Sequence, residues 1–125
     1  MFSNSSKRLL STTEPYDLIP VPLFPHEENK EGYIMLQIPK FKNRRFGNLF
    51  LSKKANPYFI VDLDSHGTRV YRHINGENSI GKILELIQGD GKETIEQLET
   101  RSFNFIQQLF NYKYITFKQL TQNVQ

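Results

Sequence analysis

The apolar pattern of this chain changes its period once, near residue 64, and that change restricts the folds open to it. Before it, apolar residues gather in short β-branched and aromatic runs. Tyr33-Ile34-Met35-Leu36-Gln37-Ile38, stopped by Pro39, predicts one strand, and Tyr58-Phe59-Ile60-Val61-Asp62-Leu63, entered through the turn-forming Asn56-Pro57, predicts another. The density of the second run predicts burial over much of both its faces. A further short strand is expected at Leu49-Phe50-Leu51. Upstream, Pro20, Pro22 and Pro25 punctuate Ile19–Pro25, which excludes a central ladder and predicts an extended or edge segment laid on the core.

After residue 64 the spacing is helical. Asp64 or Ser65 caps a short helix carrying Val70, Tyr71 and Ile74 on one side, with Asn75-Gly76 as its stop. Ser79 caps a second helix, where Ile80, Ile83, Leu84 and Ile87 fall at i, i+3, i+4 and i+7. Gly89-Asp90-Gly91 is the next turn. Thr94 and Gln97 have capping-box spacing and open the longest helix, with Ile95, Leu98, Phe105, Ile106 and Leu109 in period, broadened by Phe103 and Phe110. Tyr114-Ile115-Thr116-Phe117 reads as a short closing strand. Strands segregated from helices predict an α+β domain: N-terminal antiparallel strands followed by a three-helix bundle. Residues 1–15, rich in Ser, Thr and Asn, read as a flexible arm, 16–120 as a single domain and 121–125 as a frayed tail.

At 125 residues the chain can bury one core without staples, and its lack of cysteine removes disulfides, thiolate nucleophiles and cysteine-based zinc sites. Nothing resembles a signal peptide or a membrane span, so a cytoplasmic protein without membrane contact is expected. The net charge of +3 is unevenly placed: Lys40, Lys42, Arg44, Arg45, Lys53 and Lys54 follow one another with no acid between them. That stretch is either a solvated loop or a docking surface for an acidic peptide or phosphate backbone. Phe41 and Phe46, interleaved with it, are expected to pin the loop to the core.

Catalytic patterns are absent. His26, His66 and His73 lack the HExxH arrangement and any i, i+4 pairing that would place two imidazoles on one metal, so they are expected as surface or partly buried side chains. Asp62 and Asp64 read as a solvent-facing carboxylate and a helix cap. The glycines lack the Lys-Ser/Thr of a phosphate loop, and no serine stands in GxSxG. The sequence predicts no catalytic residue, no metal site and no cofactor.

Over residues 33–117 the chain resembles the PqqD-like family, which includes coenzyme PQQ synthesis protein D and the RiPP precursor peptide recognition elements. Leu63-Asp64-Ser65-His66-Gly67-Thr68-Arg69-Val70-Tyr71 is similar to the family's Leu-Asp/Asn, small residue, Val/Ile-Trp/Tyr segment. Ile74-Asn75-Gly76-Glu77-Asn78-Ser79-Ile80-Gly81-Lys82-Ile83 resembles its Asp-Gly, Thr-Val, Ile signature. Arg101 and Phe103-Asn104-Phe105-Ile106-Gln107-Gln108-Leu109 resemble its closing helix, and Tyr33–Pro39 its strand ending in proline. Tyr71 stands where Trp is common and Asn75 where Asp is common, and Lys40–Pro57 is longer than in compact members, as in a longer-N-terminus branch.

The resemblance implies a winged-helix-like fold that binds a precursor or leader peptide as an added strand and hands it to a separate modifying enzyme. Carried onto this sequence, the docking strand is Tyr58, Phe59, Ile60, Val61 and Asp62. The groove wall is the exposed side of Arg101, Phe105 and Gln108, with Arg101 placed for a bidentate pair to a peptide carboxylate. Two other readings follow from the residues alone. A nucleic-acid-binding winged helix is favoured by the basic stretch and opposed by Glu93, Glu96 and Glu99 at the start of the longest helix. A protein-assembly subunit, homodimeric by exchange of its proline-rich edge, is the other.

Overall fold

The computed structural model describes residues 14–40, 58–89 and 93–121, and all structural statements refer to these. A 3-10 turn (Pro15–Asp17) leads into strands β1 (Pro20–Pro22), β2 (His26–Glu28), β3 (Ile34–Pro39) and β4 (Tyr58–Asp62). Helices α1 (Ser65–Tyr71), α2 (Ile80–Ile87) and α3 (Ile95–Asn111) follow, then β5 (Ile115–Phe117) and the short α4 (Lys118–Thr121). The chain is therefore mixed α+β with antiparallel sheets, as the change of period predicts. The expected strand at Leu49–Leu51, the Phe41 and Phe46 loop contacts, the arm before Glu14 and the tail after Thr121 lie outside the described residues.

Two sheets form. β1 pairs with β5, and β3 lies between β2 and β4. The first sheet shows how a Pro-Val-Pro segment enters a ladder. Leu23 N–H donates to the Tyr114 carbonyl at 3.1 Å and Lys118 N–H to the Ile19 carbonyl at 2.8 Å, so odd-numbered residues of this segment face β5. Pro20 and Pro22 are even-numbered, and the N–H each lacks would have pointed away from the partner strand. On that other side only carbonyls are used: Leu18 accepts from Ile80 N–H at 2.8 Å and Pro20 from Gly76 N–H at 3.1 Å. The segment is thus an edge to β5 and a carbonyl rail for the turn before α2.

That turn is built by Asn75, whose Oδ1 accepts from the N–H groups of Glu77 and Asn78, and by Gly76 at φ +80°. The expectation that Asn75-Gly76 ends α1 is corrected by four residues: the helix stops at Tyr71 and the pair forms a separate Asx turn. The three predicted N-caps are present. Asp64 accepts from Gly67 N–H, Ser79 from Lys82 N–H, and Thr94 and Gln97 make a reciprocal capping box.

The core collects the inner face of β3 (Ile34, Leu36, Ile38) with Val70 and Tyr71 of α1. Around these pack all four in-period residues of α2, then Leu98, Ile106 and Leu109 of α3, and Ile115 and Phe117 of β5. Ile95, expected on the same face of α3, is 61% exposed, because it opens the helix before α3 reaches the core. β2, a run of His26, Glu27 and Glu28, carries no strand pattern. It is held by pairing to β3 and by an ion pair between Arg72 and Glu28 at 2.7 Å.

One buried contact joins sheet to helix. Ile34 N–H, at the margin of the β3–β4 ladder, donates to Thr68 Oγ1 of α1 at 3.0 Å, and both residues are buried. Replacing Thr68 by Val keeps the shape but orphans a buried amide. Thr68→Val is expected to lower unfolding free energy by about 1–3 kcal/mol in urea titrations. An unchanged midpoint would mean that this amide finds another partner.

Candidate functional site

β4 is the end strand of its sheet among the described residues. Leu63 N–H donates to the Ile34 carbonyl at 2.9 Å, and the register continues as Val61 opposite Leu36 and Phe59 opposite Ile38. Main-chain groups alternate along an antiparallel strand, so those of odd-numbered residues face β3 while those of Ile60 and Asp62 face outward. Side chains alternate as well. Phe59 and Val61 share the inner face with Ile38 and Leu36, whereas Ile60 lies outside beside Gln37.

The expected burial of this strand on both faces is corrected: Phe59 is 56% exposed and Ile60 45% exposed, and Tyr58 and Asp62 are exposed too. Neither α3 nor any other described element closes over it. Its apolar composition, read as a mark of the interior, belongs to an open strand at the margin of the sheet.

The residues predicted for the groove wall are spread along α3. Arg101 is held by Glu93 at 2.5 Å near the start of the helix, so its guanidinium already has a carboxylate within the chain. Phe105 is half-buried against α1: a Cβ on Gly67 would lie 3.1 Å from its ring, a tight approach that brings the two helices close there. Gln108 is exposed. Spacings of four, three and four place Arg101, Phe105, Gln108 and Tyr112 on one stripe. The stripe runs from Gly67, just beyond the C-terminal end of β4, to Phe59 at its N-terminal end. Arg101 sits about 16 Å along the axis from Tyr112, too far to share one pocket with it.

At the Tyr112 end the stripe meets a groove of about 610 Å³, lined by Phe24, Ile38, Pro39, Lys40, Phe59, Tyr112, Lys113 and Tyr114. Tyr112 and Tyr114 stack with ring centres 5.5 Å apart, and Lys40 Nζ lies 5.7 Å from the centre of the Phe59 ring. Of these, the sequence alone points to Phe59, on the docking strand, and to Lys40, in the basic stretch. Phe24, the two tyrosines and the two lysines come from three distant segments, and no local pattern joins them.

Lys113 carries the one sequence signal that was available. Neither Gly nor Asn stands at the left-handed position after α3, yet the terminus is a Schellman turn: Tyr114 N–H donates to the Leu109 carbonyl at 2.9 Å and Lys113 N–H to the Phe110 carbonyl at 3.0 Å. Lys113 takes the left-handed position at φ +66°, where a β-carbon costs energy. Lys113→Gly is expected to stabilise the protein by up to about 1 kcal/mol, raising the thermal midpoint. A lower midpoint would show that the lysine side chain itself supports the fold.

His66, expected at or near the surface, is buried between α1 and α3. Its Nε2 lies 3.4 Å from the buried Ser102 Oγ, and Nδ1 has no hydrogen-bond partner among the described residues. Burial, reinforced by the Arg101 charge, holds its pKa below the ordinary 6.5; Glu93 and Asp64 oppose this and Arg69 adds to it. The unfolded chain therefore takes up the proton first. Stability is expected to be full above pH 6.5 and to fall as pH drops below that value. Urea midpoints from pH 7.5 to 5 test this, and His66→Gln should flatten the slope; an equal slope in the variant would assign it elsewhere.

Among the described residues no three His, Asp or Glu side chains gather as metal ligands, and no helix is long and apolar enough to cross a membrane. No protein-family model matches this chain, and neither curated proteins nor solved structures supply a match. The likeness to PqqD-like proteins therefore rests on the residues quoted above.

Proposed function

We propose that this chain is a non-catalytic peptide-binding adaptor of winged-helix-like, PqqD-like architecture. In this reading it acts in the cytoplasm and takes a precursor or leader peptide as an added strand for a separate modifying enzyme. The observation that carries the reading is the outer edge of β4, where the main-chain groups of Ile60 and Asp62 turn away from β3 and no described strand meets them. An exposed strand edge is a template for a further strand, and such pairing supplies affinity through main-chain hydrogen bonds while side-chain pockets supply selectivity. At its Tyr112 end the α3 stripe meets Phe59 of β4 in one groove, which gives an added strand a second surface there.

Proline at position 60 separates this role from folding. The Ile60 N–H faces outward, so its loss leaves the β3–β4 ladder intact and removes one donor from the docking edge. Selection of a phage-displayed random dodecapeptide library is expected to enrich extended binders on the wild-type chain, with affinities weakened more than tenfold on Ile60→Pro at an unchanged fold. Enrichment of the same peptides at equal affinity on both proteins would place recognition away from β4. A DNA duplex that binds the chain, with an affinity that collapses as salt rises, would favour the nucleic-acid reading, since release of counterions gives phosphate contacts a steep ionic-strength dependence.

A further inference from the structure

The groove at the N-terminal end of β4 has a chemistry of its own. Its floor is aromatic and aliphatic: Phe24, Ile38, Phe59 and the stacked Tyr112 and Tyr114. Among the described residues its charged lining is Lys40 and Lys113, with no acidic side chain. Neither lysine forms an ion pair with a described residue, and Lys40 rests over the Phe59 ring instead. Lys113 occupies a left-handed helix stop that glycine would fill without strain. A costly residue held where a cheaper one fits points to a use for its side chain.

Resting on the strand-addition reading, we propose that this groove selects the incoming peptide by an aromatic side chain followed two residues later by a carboxylate. An added strand pairs along Ile60 and Asp62, and its alternate side chains fall on the inner face of the sheet, the face that carries Phe59. Residues i and i+2 of the peptide lie on that same face, about 7 Å apart. The first enters between Phe59 and the tyrosines. The second reaches the lysine ammonium groups at the rim. Aromatic burial supplies most of the affinity; the ion pairs, being exposed, supply orientation and a moderate, salt-sensitive gain.

The test uses a blocked nine-residue peptide of alternating Thr and Val, with Phe at its centre and Asp two residues on, titrated calorimetrically into the full chain at low salt. Three expectations follow. Replacing the peptide Phe by Ala weakens binding about tenfold or more, and replacing its Asp by Asn weakens it about threefold. Lys113→Gln and Lys40→Gln each reproduce the Asp effect, and on either variant the Asp and Asn peptides bind alike. Lys113→Gly weakens binding while raising the thermal midpoint, a divergence that a purely structural lysine would not produce.

Binding that is lost in Ile60→Pro but indifferent to the peptide's Phe and Asp overturns this inference and leaves strand addition standing. No binding of the Phe/Asp peptide at about 1 mM, a standard free energy near −4 kcal/mol, overturns this inference, and strand addition falls with it only if the library also yields no binder that Ile60→Pro weakens. A nine-nucleotide oligothymidylate binding this groove more tightly than the peptide would also overturn it, by assigning the lysines and rings to phosphates and stacked bases.

Discussion

Every main-chain N–H and C=O taken from water has to find a partner, and this chain meets that requirement through the parity of its strands. In the proline-rich segment the odd positions serve β5 and the even positions offer only carbonyls, which the turn before α2 uses. The missing donors of Pro20 and Pro22 fall where none is needed. In β4 the same alternation leaves Ile60 and Asp62 facing outward. One edge is thus closed by proline and a turn, while the other is open among the described residues. The contrast between a sealed and an unsealed edge in one small protein motivates the functional reading.

Much of this architecture can be read from residues in order. The caps at Asp64, Ser79 and Thr94, the buried stripe of α2 and the strands around Leu36 and Ile60 depend on local spacing, which a sequence displays directly. What spacing does not display is which face of an element finds company. β4 has the composition of an interior strand and lies at an edge, because pairing order belongs to the whole sheet. β2, made of a histidine and two glutamates, is a strand only because β3 offers it a ladder. His66 is buried because α3 happens to bring Ser102 and Phe105 over the start of α1.

The candidate site follows the same rule. Its strand was legible, since Tyr58–Asp62 is a continuous run. What the sequence leaves unseen is the surroundings of the expected wall: Arg101 is engaged by Glu93, Phe105 packs on Gly67, and a groove lies farther along at Tyr112, where Phe24, Lys40 and Lys113 converge from distant segments. Lys113 holds a conformation that opposes stability, and among the described residues the basic rim it shares with Lys40 has no acidic partner in the groove. On the proposed reading, fold and recognition make opposing demands on the end of α3, as expected where a scaffold element also carries a surface for a partner.

The proposed docking edge depends on the direction in which the β4 main-chain groups point, and amide hydrogen exchange across β4 in the free protein reads that direction at single-residue resolution. Val61 and Leu63, bonded to β3, are expected to exchange slowly, at rates set by opening of the sheet. Ile60 and Asp62, facing outward, are expected to exchange far faster, close to the unprotected rate. Uniformly slow exchange from 60 to 63 would mean that the edge is already occupied within the molecule and has no strand to accept.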